Sequence, residues 1–341
     1  MIRANKMPAF GNAAYNLVVN RTTDGAPVGN HSAVTQLRSN FDKAVYDVFK
    51  TVVPVTFTVF VLLGILGNGL VIYVIAYRRK LRTVTNLLLA NLAVADVAFL
   101  FVCGSFTVVH YAFDIFPLGD VPCQIIQYLL FTTCYVSVYT LAAVSAVRFI
   151  VVVHGSDHPL VRSKVYVKLL IIGIWLLFLV ANVPVTAIHH LEFDPRTNRT
   201  ECIIDGIDEG RKLFLLTFLL AYAFPLIVII AFYLAVVRHL RKTGNCVTQH
   251  VGHVTKVTAI VVLVFAICWI PLHVHLLVGY YGDLPHGIAY GSLLLVWHVL
   301  VFVNSMINPI IYNIFSKDFR REFVVTLSCC IGRTEPIAQN V

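Results

Sequence analysis

Seven stretches of the 341-residue sequence, at about 51–77, 85–112, 120–153, 165–188, 211–238, 254–281 and 288–313, are long enough and apolar enough to cross a bilayer. A hydrocarbon core about 30 Å thick takes about 20 helical residues to span, and it holds no water to satisfy an exposed peptide group. Segments of this length and number close their backbone hydrogen bonds as helices, so the expected fold class is an all-α membrane protein, a bundle of seven transmembrane helices. Composition agrees. Hydrophobic residues make up 58% of the chain and charged ones 13%, against about 25% charged in soluble domains.

An odd number of spans puts the termini on opposite faces. Of the 26 cations, 16 fall on the side of the C-terminus, among them Arg78, Arg79, Lys80 and Arg82, then Arg238, Arg241 and Lys242, then Lys317, Arg320 and Arg321. Asp157, Asp318, Glu322 and Glu335 are the acids on that side. The positive-inside rule makes that side the cytosol and the N-terminus extracellular. The net charge of +9 is therefore a topology signal, and no nucleic-acid partner is implied. The expected location is the plasma membrane, crossed several times.

Residues 1–50 read as a polar, largely disordered extracellular tail with glycosylation sequons at Asn20 and Asn30; a third, at Asn198, lies in the outer loop after the fourth span. The bundle occupies 51–313. An amphipathic stretch at 314–328 is expected to lie on the membrane surface, and 329–341 form a cytoplasmic tail. Of eight cysteines, Cys123 and Cys202 are the two on the outer face, where an oxidising environment favours a disulfide between them. Cys329-Cys330, just past the surface helix, suit S-acylation, the alternative being two inert thiols. Thr326, Ser328 and Thr334 are the few hydroxyls near the C-terminus, a sparse set for phosphorylation-dependent arrestin docking.

Polar and ionisable groups are costly inside a bilayer and mark function. Asp96 is the carboxylate placed in the middle of a span. Asn68, Asn91, Ser137, Asn304, Ser305 and Asn308 come at similar depth. Asp96, Ser137, Asn304 and Asn308 offer the oxygens a small hard cation takes, a candidate sodium site. The alternative is an interhelical hydrogen-bond network without an ion. No other cofactor and no enzymatic chemistry is expected, since the sequence carries no nucleophile–base pair, phosphate loop or Cys/His metal spacing. Pro184, Pro225, Pro271 and Pro309 each remove a backbone donor within a span and favour kinks about which helices pivot.

Read in order, Gly67-Asn68, Asn91-Leu-Ala-Val-Ala-Asp96, Cys123, Trp175, Pro225 with Tyr233, Cys268-Trp269-Ile270-Pro271 and Asn308-Pro309-Ile-Ile-Tyr312 put one signature on each span. This set resembles the rhodopsin-like family of G-protein-coupled receptors over about residues 51–328. The resemblance implies that Trp269, with Pro271, senses the ligand from below, that Tyr233 and Tyr312, with Asn308 and Pro309, rearrange on activation, and that Asp96 holds sodium. Within the family, Phe116–Tyr128, Val138–Ser145 and His298–Tyr312 look like the allatostatin-A and galanin receptors. That likeness implies a neuropeptide receptor acting on the inhibitory class of heterotrimeric G protein. Biogenic amines and retinal are set aside, because the positions that carry their acid and lysine partners in related receptors are Leu130 and Phe302 here.

Two departures stand out. The family's Asp-Arg-Tyr motif reads Val147-Arg148-Phe149, which removes the acid that restrains the arginine, and Phe116 stands where such receptors usually have tryptophan. Raised basal activity or impaired coupling is expected from the first, so a peptide-binding decoy and a constitutively active receptor remain alternatives to an ordinary peptide receptor. The expected ligand site at the bundle mouth contains Gln127, Phe131, His273, Leu276, Tyr290, Trp297 and His298, beneath the loop acids Glu192, Asp194, Asp205, Asp208 and Glu209. Such a site suits an amidated peptide with a cationic N-terminal part. On the other face, Arg148 and the basic loops are expected to receive a G protein, and the basic stretch after Ser316 to meet lipid headgroups.

Overall fold

A computed structural model describes residues 32–113, 118–155, 157–194, 199–243, 248–282, 288–315 and 317–330. Asn20, Asn30, Asn198, Phe116 and Thr334 lie outside the described residues, and of Tyr290, Cys329 and Cys330 only the helical backbone is described. Helix α1 is Ser32–Tyr77. Helix α2 runs Val84–Phe99, passes through a π turn at Leu100–Gly104 and continues as Ser105–Phe113. Helix α3 is Asp120–His154, and α4 is Lys164–Ala181 with a short continuation, Val183–Ala187. Strands β1, His189–Asp194, and β2, Arg199–Ile204, follow. Helix α5 runs Ile207–Thr217, through a π turn at Phe218–Ala223, to Phe224–Thr243. Helices α6, Thr248–Tyr281, α7, Ile288–Phe315, and α8, Lys317–Cys330, complete the order.

Among the described residues seven helices are long and apolar enough to span a membrane. Their outward faces are apolar, with Leu66, Val180 and Ile227 among the most exposed side chains, as lipid contact requires. Local chemistry sets the ends. Thr83 caps α2, its hydroxyl accepting from the Asn86 N–H at 3.2 Å. Gly155, at φ +89°, takes a left-handed conformation that stops α3. Pro225 lacks the N–H a regular helix would use and its ring crowds the preceding turn; the π turn of α5 ends two residues before it.

The first helix begins at Ser32, where a polar tail was expected to run to residue 50. No proline or glycine interrupts 32–53, and Val34, Leu37, Phe41, Val45 and Val48 recur at helical spacing. The segment between α4 and α5, a loop by its sequence, is a two-stranded hairpin. Its strands pair antiparallel with Leu191 opposite Cys202, and the Cys202–Cys123 disulfide fastens β2 to the head of α3. Between the helices an apolar core is tied by a few polar contacts. The Asn68 amide donates to the Gly64 and Ser305 carbonyls, both at 2.9 Å, joining α1 to α7. Asn91 donates to the Thr140 hydroxyl and accepts from the Trp175 indole, each at 2.8 Å, joining α2, α3 and α4. Tyr128 donates to the Leu179 carbonyl at 2.8 Å, and Tyr222 to the Ala266 carbonyl at 3.0 Å. Such bonds contribute about 0.6 kcal/mol each on average in membranes, enough in this number to fix register between otherwise apolar surfaces. At the Arg148 end, Arg78, just past α1, pairs with Glu322 on α8 at 3.0 Å, while Phe319 and Phe323 turn inward. Thr326 is buried and donates to the Glu322 carbonyl at 2.8 Å, so it does not offer a free hydroxyl.

Candidate functional site

Of the polar residues singled out inside the spans, Asp96, Ser305 and Asn308 meet directly, and Asn68 joins them through the Ser305 carbonyl. Asn308 on α7 donates from Nδ2 to Asp96 Oδ2 on α2 at 2.9 Å, and the Ser305 hydroxyl also bonds the Asp96 carboxyl. Asp96 is 1% exposed, and Asn304, Ser305 and Asn308 are buried with it on the α7 side. Asn308 Oδ1 and Asn68 Oδ1 are buried acceptors with no partner among the described residues. An oxygen-only set with two idle carbonyl oxygens and a carboxylate fits a small hard cation. Ser137, on α3, is half-buried. Ser305 and Asn68, which sequence reasoning gave only supporting places, are direct parts of this centre.

Above the centre, at the end closed by the hairpin, aromatic rings fill the space between α5 and α6. Trp269 lies 5.9 Å from the His273 ring and 6.0 Å from Phe265, and Tyr222 lies 5.1 Å from His273. Phe218, on the π turn of α5, stands 5.9 Å from His273. The π turn adds a residue to one coil and thereby presents Phe218 and Tyr222 to the same imidazole. Closer to the mouth, Phe131 packs against His189 and Phe214 at 6.5 and 6.3 Å. Gln127 points its amide at Cys202 Sγ, 4.0 Å away, and shares a cavity of about 20 Å³ with Cys103 and His298. That is space for about one water molecule. Trp297 is instead next to His275, at 5.9 Å, and Leu276 is buried.

Among the described residues, Gln127 and His298 share a small cavity, His273 stands in the Trp269 stack, and Trp297 lies beside His275. His189 and His275 were missed by sequence reasoning. His189 bonds the Val185 carbonyl through Nδ1 at 2.7 Å, and burial holds its imidazole below the usual histidine range. Two loop acids are already engaged, Asp208 with Arg211 at 3.3 Å and Glu209 with Lys212 at 3.6 Å. Asp205 stays exposed, and Glu192 sits opposite Glu201 across the hairpin.

At the opposite end, Arg148 on α3 sits behind the buried Val147, and Phe149 lies 5.5 Å from Phe232 on α5. Arg148 Nε is buried without a partner among the described residues, as are the Trp269 indole N–H and the Tyr312 hydroxyl. Pro309 is buried against α1, where a side chain at Gly67 would meet its ring at 3.1 Å. Tyr233 is half out of the bundle, between α5 and the surrounding lipid.

One arginine-bearing end, one disulfide-closed end and a carboxylate with aromatic stack between them define a seven-helix receptor. The chain belongs to the seven-transmembrane receptors of the rhodopsin family, whose family model matches residues 67–312. It is 33% identical over 327 residues to the allatostatin-A receptor of Bombyx mori, covering 92% of this chain and 90% of that one. It is 35% identical over 295 residues to human galanin receptor type 1, covering 84% of each chain. With the mouse KiSS-1 receptor the identity is 32% over 301 residues, 82% of this chain and 76% of the relative.

Proposed function

We propose that this protein is a plasma-membrane receptor for a short amidated peptide of the allatostatin-A or galanin kind, which it converts into nucleotide exchange on a heterotrimeric G protein of the inhibitory class. The disulfide-closed end faces outward and the Arg148 end faces the cytosol. The observation that carries the reading is the set of buried, unpartnered polar atoms on Trp269, Tyr312 and Arg148, one below the mouth and two toward the opposite end. Each costs about 1–3 kcal/mol while unpaired, so an arrangement of helices that pairs them is within reach of a ligand's differential binding energy. Peptide contacts at the hairpin and at the ends of α5 and α6 supply that energy. The Phe218–Tyr222–His273–Trp269 stack then shifts as a block, because close-packed rings rearrange between discrete states.

With the inner space near Gln127 and His298 nearly filled, most of the peptide lies across the mouth and its C-terminal group reaches the rings. Asp205 and Glu192 attract its cationic part. A sodium ion held by Asp96 and the Asn308 and Asn68 oxygens stabilises the resting arrangement. The cytosolic end also meets lipid through Arg320 and Arg321 of α8 and, through acylation, Cys329 and Cys330; arrestin is a weaker partner.

A second reading is favoured by one observation: Val147 is apolar and Arg148 Nε has no partner among the described residues. An arginine lacking its restraining acid raises basal exchange. The test of the main reading is saturable binding of fluorescent allatostatin-A-like and galanin-like peptides to membranes carrying the chain. One of them should bind, its free-acid form at least tenfold more weakly and the His273→Ala/His298→Ala double variant weakly too. Failure of both peptides to bind, or equal binding of amide and acid, overturns the reading.

A further inference from the structure

Between α3, α5 and α6, on the Arg148 side of Pro225, the helices enclose a cavity of about 350 Å³, at the small end of the roughly 300–1,000 Å³ typical of sites for small molecules. Its walls are apolar: Leu226 and Ile229 on α5, and Ala259, Val262 and Ala266 on α6. Ser145 at its base donates its hydroxyl to the Leu141 carbonyl at 3.0 Å. Arg148 completes the lining, with a buried Nε that has no partner and no carboxylate within ion-pair distance among the described residues. The rim consists of Ile230, Tyr233 and Leu263, which are 47%, 40% and 58% exposed. These side chains stand on the lipid-facing surface of α5 and α6, so the cavity opens sideways into the acyl chains.

The combination is chemically specific. An apolar chamber reached through lipid is filled most favourably by a hydrocarbon chain already dissolved in that lipid. The buried, unpartnered Nε of the half-buried Arg148 is best answered by an anionic oxygen, because the charge-assisted hydrogen bond is about twice as strong as a neutral one and removes an unsatisfied donor. The available volume suits a single chain.

We propose that this cavity is a binding site for a single-chain amphiphile of the fatty-acid class, its tail between α5 and α6 and its carboxylate on the Arg148 guanidinium. The site exists because position 147 is a valine; an acid there would compete for the same guanidinium. Binding does not depend on the peptide-receptor reading. Its effect on signalling does rest on that reading: an occupant holding Arg148 and wedging α5 against α6 lowers basal exchange.

The test is displacement of the fluorescent fatty acid cis-parinarate from the purified full chain in phosphatidylcholine nanodiscs. Oleate should displace it at one site per chain, and oleyl alcohol at least tenfold more weakly. Two cavity-filling variants on different helices, Ala259→Phe and Ile229→Trp, should each lose most of the specific binding. Arg148→Gln, which leaves the chamber open, should bring acid and alcohol to within about threefold of each other. Equal oleate binding to the wild type and Arg148→Gln, or acid and alcohol of equal potency on the wild type, overturns the proposal. So does displacement by phosphatidylglycerol added to the nanodisc as effectively as by oleate, which would make the occupant a bilayer phospholipid.

Discussion

Replacing Asn308 with alanine removes the amide that donates to Asp96 at 2.9 Å and leaves the carboxyl with Ser305 alone. An average interhelical bond in a membrane contributes about 0.6 kcal/mol, because the separated helices find other partners. A hydrogen bond to a charged group contributes about 1.5–3 kcal/mol, and a carboxyl at mid-bundle has few substitutes. Asn308→Ala should therefore cost about 2 kcal/mol in thermal unfolding of the purified chain in nanodiscs. The exchanged pair, Asp96→Asn with Asn308→Asp, keeps one acid and one amide in contact, so the two single losses should fail to add, with a coupling energy of about 1.5 kcal/mol. Sodium at ten times its dissociation constant should stabilise the wild type by about 1.4 kcal/mol relative to choline, and Asp96→Asn should abolish that difference. Additive losses to within about 0.3 kcal/mol would refute the pairing, and an unchanged sodium effect in Asp96→Asn would refute the ion site.

Val147→Asp should lower basal nucleotide exchange several-fold by giving Arg148 a carboxylate partner; a flat result in a membrane exchange assay removes the restraint argument. His189 should make stability fall with acid: its imidazole is held neutral in the fold by burial, so the penalty for protonation begins as pH drops below the ordinary value of about 6.5 and grows toward the depressed folded value. His189→Gln should flatten the pH dependence of thermal unfolding between about pH 7 and 5, and an unaltered slope contradicts the assignment. Gly210→Ala should destabilise by about 1–3 kcal/mol as an overpacked contact, because its methyl would fall 2.0 Å from the Tyr280 ring. That ring stands beside the bond from Arg211 Nε to the Tyr280 carbonyl at 2.7 Å, which clasps the outer ends of α5 and α6. Wild-type unfolding of this variant would show that the clasp is not close-packed.

The seven spans were legible because lipid forces every backbone group to pair within its own helix, and a run of 20 apolar residues has few other fates. The disulfide was legible from compartment alone, two cysteines on one face. Asp96 and Asn308 were legible as expensive groups at equal depth, and the structure makes them partners. The hairpin was not: its buried Cys202-Ile-Ile run and exposed Glu192-Phe193 pair are too short to outweigh the polar residues around them. The π turn in α5 had a cue in Pro225. The one in α2 had only Gly104, where a side chain would meet Val61 at 2.6 Å, a contact between helices that no local pattern encodes. His275 and His189 went unread for a related reason. A histidine in or just beyond a span reads alike whether it packs on Trp297, bonds a backbone carbonyl or faces a ligand.

Guanine-nucleotide exchange on inhibitory G protein, in membranes carrying this chain, tests the central claim most directly. An amidated allatostatin-A-like or galanin-like peptide should raise the exchange rate in a saturable, dose-dependent way above an already measurable basal rate. A peptide that binds the chain yet leaves exchange at the level of membranes lacking it would contradict the claim and mark the protein as a binder that does not signal.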